Sequence, residues 1–165
     1  MGKRSGAIAA IVGIGEVPTG KFPERTALEA AAQVSRLAVQ DAGIDKRDID
    51  VIMTTGAIFS RDFNSDLIFG RMVEELGLNG SVHSTMQVMS GGASGSSLTK
   101  TASALVHAGL AKNVLCVHSD KLATGIAIDE AIEVFSSLGI PEDWERPYGQ
   151  HMGSMAAMLT KRYMQ

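Results

Sequence analysis

Short apolar runs alternate along this chain with longer stretches of helical spacing, and no other feature restricts its folding more. Ile8 to Val12, Ile49 to Thr55, His83 to Met89 and Val114 to His118 each have the length and content of a strand. Continuous apolar runs such as Ile8 to Val12 suit strands covered on both faces. Strands separated by helices imply a mostly parallel sheet with helices on both sides. The fold class expected is therefore α/β. The reading is one domain over residues 1–165, with an irregular insertion around 120–150.

Punctuation between the runs supports this order. Thr26-Ala27-Leu28-Glu29 has the form of a capping box. In it the threonine hydroxyl accepts an amide of the first turn while the glutamate reaches back to the cap amide. Ala27, Ala30, Ala31, Val34, Leu37 and Ala38 follow at helical spacing, and Gly43 can end the helix at positive φ. Asn64-Ser65-Asp66 starts a second helix that Gly77 stops. Ser90 to Ser97 is a glycine–serine turn leading into a third helix through Leu98, Thr101, Ala102, Leu105 and Val106. Gly125 to Leu138 reads as a helix, Pro141 to Pro147 as a polar loop around Trp144, and Gln150 to Met164 as a last helix rich in Met and Ala.

Composition narrows the function. Hydrophobic residues make up 45% and charged residues 20%, which excludes a disordered chain. The net charge is −3, without the basic excess that nucleic-acid binding requires, so no nucleic-acid partner is expected. No stretch approaches the roughly 20 apolar residues of a membrane span, so no membrane partner is expected either. The basic start Lys3-Arg4 precedes an apolar run, but Gly13, Gly15 and Pro18 break it too early for a secretory signal. The single cysteine, Cys116, forms no disulfide within the chain, and a reducing, cytoplasmic setting is expected. Inside Val-Leu-Cys-Val-His it reads as a buried structural thiol.

The motifs carry chemistry unequally. Gly13-Ile14-Gly15 follows an apolar run, yet Pro18 stands where a dinucleotide fingerprint needs Gly or Ala. A glycine turn leaving a strand is the plainer reading. The turn at Gly91 to Ser97 is more informative, because a helix N-terminus offers free amides and partial positive charge to an oxyanion. It lacks the Gly-Lys-Ser/Thr ending of a P-loop, and Ser96 stands where a nucleophile elbow needs Gly. A tight turn capped by Ser94 explains it equally well. The histidines at 83, 107, 118 and 151 lack the i, i+4 spacing of a zinc pair, so no metal site is expected. His118 and Asp120 pair with Ser94 only if the fold brings them together. Met152, Met155, Met158 and Met164 read as adaptable core, or as the lining of an acyl pocket.

Ala7 to Gly15, the capped helix to Asp41-Ala42-Gly43-Ile44, and Asp48-Ile49-Asp50-Val51 together resemble the N-terminal domain of the thiolase superfamily. The likeness leans to its sterol-carrier-type thiolases and archaeal acetyl-CoA acetyltransferases. Met89 to Gly109 resembles that family's nucleophile loop and helix, Asn113 to Lys121 its next strand, and Tyr148 to Met164 the helix closing its first half. The resemblance implies acyl-CoA as the ligand: a coenzyme A thioester bound as substrate, with no separate cofactor. It places the site at the glycine–serine loop, where amides around Gly92 to Ser94 would polarise the thioester carbonyl. Gly91, Ala93 and Gly95 would contact substrate.

Two departures shape the expectation. The family's nucleophilic cysteine falls at Gly92, which has no side chain, and Ser90 and Ser94 beside it lack a visible base. The family's second half, with a catalytic histidine and a second cysteine, is not in this sequence, which reads as a fragment, a split subunit or a degenerate relative. Acyl transfer through an enzyme thioester is therefore not expected. Carbon–carbon bond chemistry without a covalent acyl-enzyme is, as in Cys-less aldolase-type relatives that pair with zinc-ribbon/OB-fold accessory subunits. A non-catalytic scaffolding subunit is the alternative, and a serine hydrolase built on Ser90 or Ser94 ranks last. The resembled family dimerises through the strand before its nucleophile loop, which falls at residues 83–89. The resemblance thus implies a homodimer or heteromer there in the catalytic and the scaffolding readings alike; an apolar sheet edge also recruits a partner.

Overall fold

The computed structural model describes residues 8–60, 67–137 and 143–165. Three parallel strands form its sheet: β1 (Val51–Thr54), β2 (Ser84–Gln87) and β3 (Val114–Val117), in the order β2-β1-β3. Val51 lies opposite Ser84 on one side and Val114 on the other. Helix α2 (Ile68–Leu76) connects β1 to β2, and α3 (Ser94–His107) connects β2 to β3. Parallel strands require such crossovers.

Strand alternation splits the core into two layers. Ile52, Leu115 and Val117 pack with Ala31 and Ala32 of α1 (Ala27–Ala42) and with Ile68 and Met72 of α2. Val51 and Met53 point to the opposite face and pack against Leu98 of α3. The arrangement is three layers, α/β/α, as the alternation of runs implied.

The caps form as their chemistry dictates. The Glu29 amide donates to Thr26 Oγ1 at 3.1 Å, and the Thr26 amide donates to Glu29 Oε2 at 2.8 Å. Gly43 and Gly77 end α1 and α2, both at φ 65°. The second helix begins at Ile68, and the expected start at Asn64-Ser65-Asp66 lies outside the described residues. The helix expected over Gly125 to Leu138 is α5 (Ile128–Ser137), preceded by a short turn of helix, α4 (Leu122–Gly125), that was not expected.

Three expectations are corrected. Ile8 to Val12 joins no ladder, and Ile11 is 76% exposed. An apolar run announces a wish for burial but cannot supply a neighbouring strand. Gly13 and Gly15 instead lay this segment directly on α1. A Cβ on Gly13 would collide with the Ala38 carbonyl and Ala42, and one on Gly15 with the Val34 carbonyl. The Ile14 amide fixes the crossing by donating to Asp41 Oδ2 at 2.9 Å. Next, the methionine run lies on α6 (Met152–Tyr163), a helix with no buried residue, so Met152 and Met158 are surface rather than core. Finally, Cys116 is exposed, because β3 is an outer strand of the described sheet.

Candidate functional site

The candidate residues Ser90, Gly91, Gly92, Ala93, Ser94 and Gly95 form one tight bend between the exit of β2 and the start of α3. Gly91 takes φ 55°, a left-handed conformation that glycine adopts without strain. The Ala93 amide donates to Ser90 O and the Ser94 amide to Gly91 O, both at 3.1 Å. These two amides, expected to meet a thioester carbonyl, donate inward and hold the bend. The first-turn amides of Gly95 and Ser96 are those for which helix geometry offers no intrahelical acceptor.

Ser94 is not the N-cap but the first residue of α3, and Ala93 before it makes no side-chain cap. Its hydroxyl donates to Gly91 O at 2.7 Å and accepts from the Ser90 amide at 2.9 Å. In a residue only 8% exposed, this hydroxyl is a pin inside the bend rather than a presented nucleophile. Ser90, Gly91, Gly92 and Ala93 are exposed. At Gly92 a Cβ would meet nothing within 4 Å, and φ there is not positive. The position thus has room for the side chain it lacks. Along the outer face of α3, Gly95, Ser96, Thr99, Lys100 and Ser103 form a shallow, widely open stretch of surface that runs from this bend.

His118 and Asp120 do not join Ser94. The ring Nδ1 of His118 hydrogen-bonds Thr55 Oγ1 at the exit of β1. The Asp120 carboxylate accepts the amides of Ile58 at 2.7 Å, Phe59 at 3.0 Å and Lys121 at 2.8 Å. An acid–base triad on Ser94 is therefore not assembled. Cys116 lies apart on β3, and partial burial of its sulfur pushes the thiol pKa up although the residue remains reachable from solvent. That is the opposite of an activated nucleophile.

Beside the bend, the register partners Thr54 and Gln87 each hold a buried side-chain oxygen that has no hydrogen-bond partner among the described residues. The role of His151 escaped the sequence reading. Its Nδ1 accepts the Gly153 amide at 3.1 Å and caps α6, while Ser154 closes the reciprocal bond at 2.9 Å. A Ser three residues after a His was the available signal, but histidine is not a usual cap.

No family model matches the chain. It is 31% identical over 159 residues to an acetyl-CoA acetyltransferase of Methanocaldococcus jannaschii, a match covering 94% of this chain and 38% of that protein. It is 27% identical over 163 residues to a 17-hydroxy-3-oxo-4-pregnene-20-carboxyl-CoA lyase of Mycobacterium tuberculosis, covering 94% and 40%. Among solved structures, the Ltp2-ChsH2(DUF35) aldolase superposes with a TM-score of 0.70 at 25% identity, over 94% of this chain and 37% of that one. A 3-oxoacyl-[acyl-carrier-protein] synthase III from Aquifex aeolicus matches 62% of this chain and 32% of its own, at 20% identity and a TM-score of 0.54, a likeness of fold alone. The chain spans about two fifths of the curated relatives it matches. Its relationships are thiolase-like, as is its fold. No described helix is long and apolar enough to cross a membrane.

Proposed function

We propose that this chain is a thiolase-like component that receives an acyl-CoA thioester at the bend of residues 90–95 and works within a larger assembly. The carrying observation is the open position at Gly92. It lies in an exposed, side-chain-poor bend immediately before α3, and the two curated relatives matching 94% of the chain are named for CoA thioesters. Amides at the start of α3 would meet the developing oxyanion, where the helix dipole adds favourable field.

With glycine at position 92 there is no sulfur in the bend to carry an acyl group. The chemistry that remains is formation or cleavage of a carbon–carbon bond in a thioester held by amides alone. A lyase and an aldolase among the similar proteins support that choice over acyl transfer. The two-component name of that aldolase supports a heteromeric assembly. The partner proposed is an accessory subunit of the zinc-ribbon/OB-fold kind, or a second copy of this chain, joined through the outer strand β2 in 83–89. A scaffolding role is the second reading. The exposed apolar residues Ile11, Ile14, Leu159 and Met164 favour it, since such surface suits a subunit covered by partners.

Incubation with acetyl-CoA followed by intact-mass analysis tests the chemistry. The wild-type chain should acquire no acyl adduct. Gly92→Cys, which the open space accommodates, should acquire one on residue 92. A stoichiometric adduct on the wild-type chain would overturn the Cys-free reading. Size-exclusion chromatography showing a clean monomer, alone and with acetyl-CoA, would count against both roles.

A further inference from the structure

His118 and Asp120, which take no part in the bend, lie across the sheet from it, at the exit of β3. Their bonds run toward it. We infer that Asp120 is a positioning residue: through the loop leaving β1, its carboxylate sets the placement of the glycine bend at 90–94.

The connection runs through named bonds. Two of the three amides that Asp120 accepts, those of Ile58 and Phe59, belong to the loop leaving β1. A carboxylate accepting several backbone amides makes charge-assisted bonds, about twice as strong as neutral ones. The same loop is tied a second time by the Thr55–His118 bond and a third time by the Thr55 amide, which donates to Val117 O at 3.2 Å. Thr55 itself is only 2% exposed, so its end of these ties is buried, while His118 at the other end is exposed.

On its other side the loop presses against the exit of β2. The Gly56 amide donates to Met89 Sδ at 3.0 Å. The fit is close: a Cβ on Gly56 would meet Gln87 Nε2 at 2.8 Å and Met89 Sδ at 3.0 Å. Met89 is followed directly by Ser90, whose amide Ser94 Oγ holds. The path from carboxylate to bend is thus Asp120, Ile58–Phe59, Ala57, Gly56, Met89, Ser90, with a hydrogen bond or a peptide bond at each step. Released from Asp120, the loop can retreat from Met89, and the residue that leads directly into the bend loses the contact that holds it.

That the bend is the thioester site rests on the reading above; the coupling itself does not. Hydrogen exchange read by mass spectrometry on the ligand-free chain therefore tests it alone. In Asp120→Ala, exchange over 56–60 should speed about tenfold or more and over 88–95 about threefold or more, while α1 keeps wild-type rates. Asp120→Asn, which retains one acceptor, should give intermediate values, and the same comparison on it decides the matter if Asp120→Ala does not fold. Faster exchange over 56–60 with 88–95 unchanged overturns the coupling. So does equal acceleration in α1, which would mean general loosening. Protection of 88–95 by acetyl-CoA in the wild-type chain reads the thioester site separately, and its failure leaves the coupling standing.

Discussion

Replacing Ser94 by alanine separates its role as a pin from a role as a nucleophile. The hydroxyl makes two hydrogen bonds, to Gly91 O at 2.7 Å and from the Ser90 amide at 2.9 Å. Each such bond contributes about 1 kcal/mol net. The losses are not equal. Gly91 O keeps the Ser94 amide at 3.1 Å, so it is not stranded, and Ser90 is exposed, so water can reach its amide. Neither group pays a full desolvation penalty. Two such bonds would give about 2 kcal/mol, and with both partners partly re-satisfied the loss is about 1.5 kcal/mol, which for a domain of this size lowers Tm by about 3–6 °C. Urea unfolding followed by circular dichroism gives the free energy, and a thermal melt gives the temperature. A change below about 0.3 kcal/mol would refute the reasoning, because it would mean that the bend holds its shape without the pin. Labelling of Ser94 in the wild-type chain by a fluorophosphonate would refute it from the other side, since a hydroxyl committed to these two bonds has no base to activate it.

Further outcomes follow from the same bonds. Thr26→Ala should cost about 1 kcal/mol in urea unfolding, because the Glu29 amide loses its acceptor Oγ1 and the hydroxyl's bond to Glu29 Oε2 goes with it, while the residue 26 amide can still donate to Glu29. Gly15→Ala should speed limited proteolysis within 8–20, since a Cβ there collides with the backbone of α1; cleavage at the wild-type rate would contradict the docking of this segment. Iodoacetamide should alkylate Cys116 in the native protein, as the thiol is exposed. It should do so more slowly near pH 7 than an unperturbed thiol, with the rate climbing at higher pH, because desolvation raises the pKa and keeps the reactive thiolate scarce.

How far the sequence could be read depended on whether a signal was local. Caps and stops were legible because their chemistry lies within a few residues: Thr26 with Glu29, Gly43 and Gly77. The strands at 51–54 and 114–117 were legible from apolar runs bounded by turns, and that at 84–87 from loose alternation. Ile8 to Val12 misled because its pattern matches a buried strand, while the partner that makes a strand is not written in the segment itself. The two glycines after it were seen as a turn, yet their use is close approach to Val34 and Ala38, residues about twenty positions away. The same gap separates the motif at 90–95 from its workings. Spacing placed the bend before a helix, but only geometry shows that Ser94 faces inward, that Ala93 and Ser94 spend their amides on the bend, and that Asp120 serves the loop leaving β1.

The central claim is that an acyl-CoA thioester docks at the bend of residues 90–95. Its most direct test is residue-resolved NMR titration of the wild-type chain with acetyl-CoA, following the backbone amides. The account predicts saturable shifts concentrated at Ser90 to Ser96, extending along the outer face of α3 toward Thr99. Saturable shifts that spare this bend and gather elsewhere, or no shifts at millimolar acetyl-CoA, would contradict it.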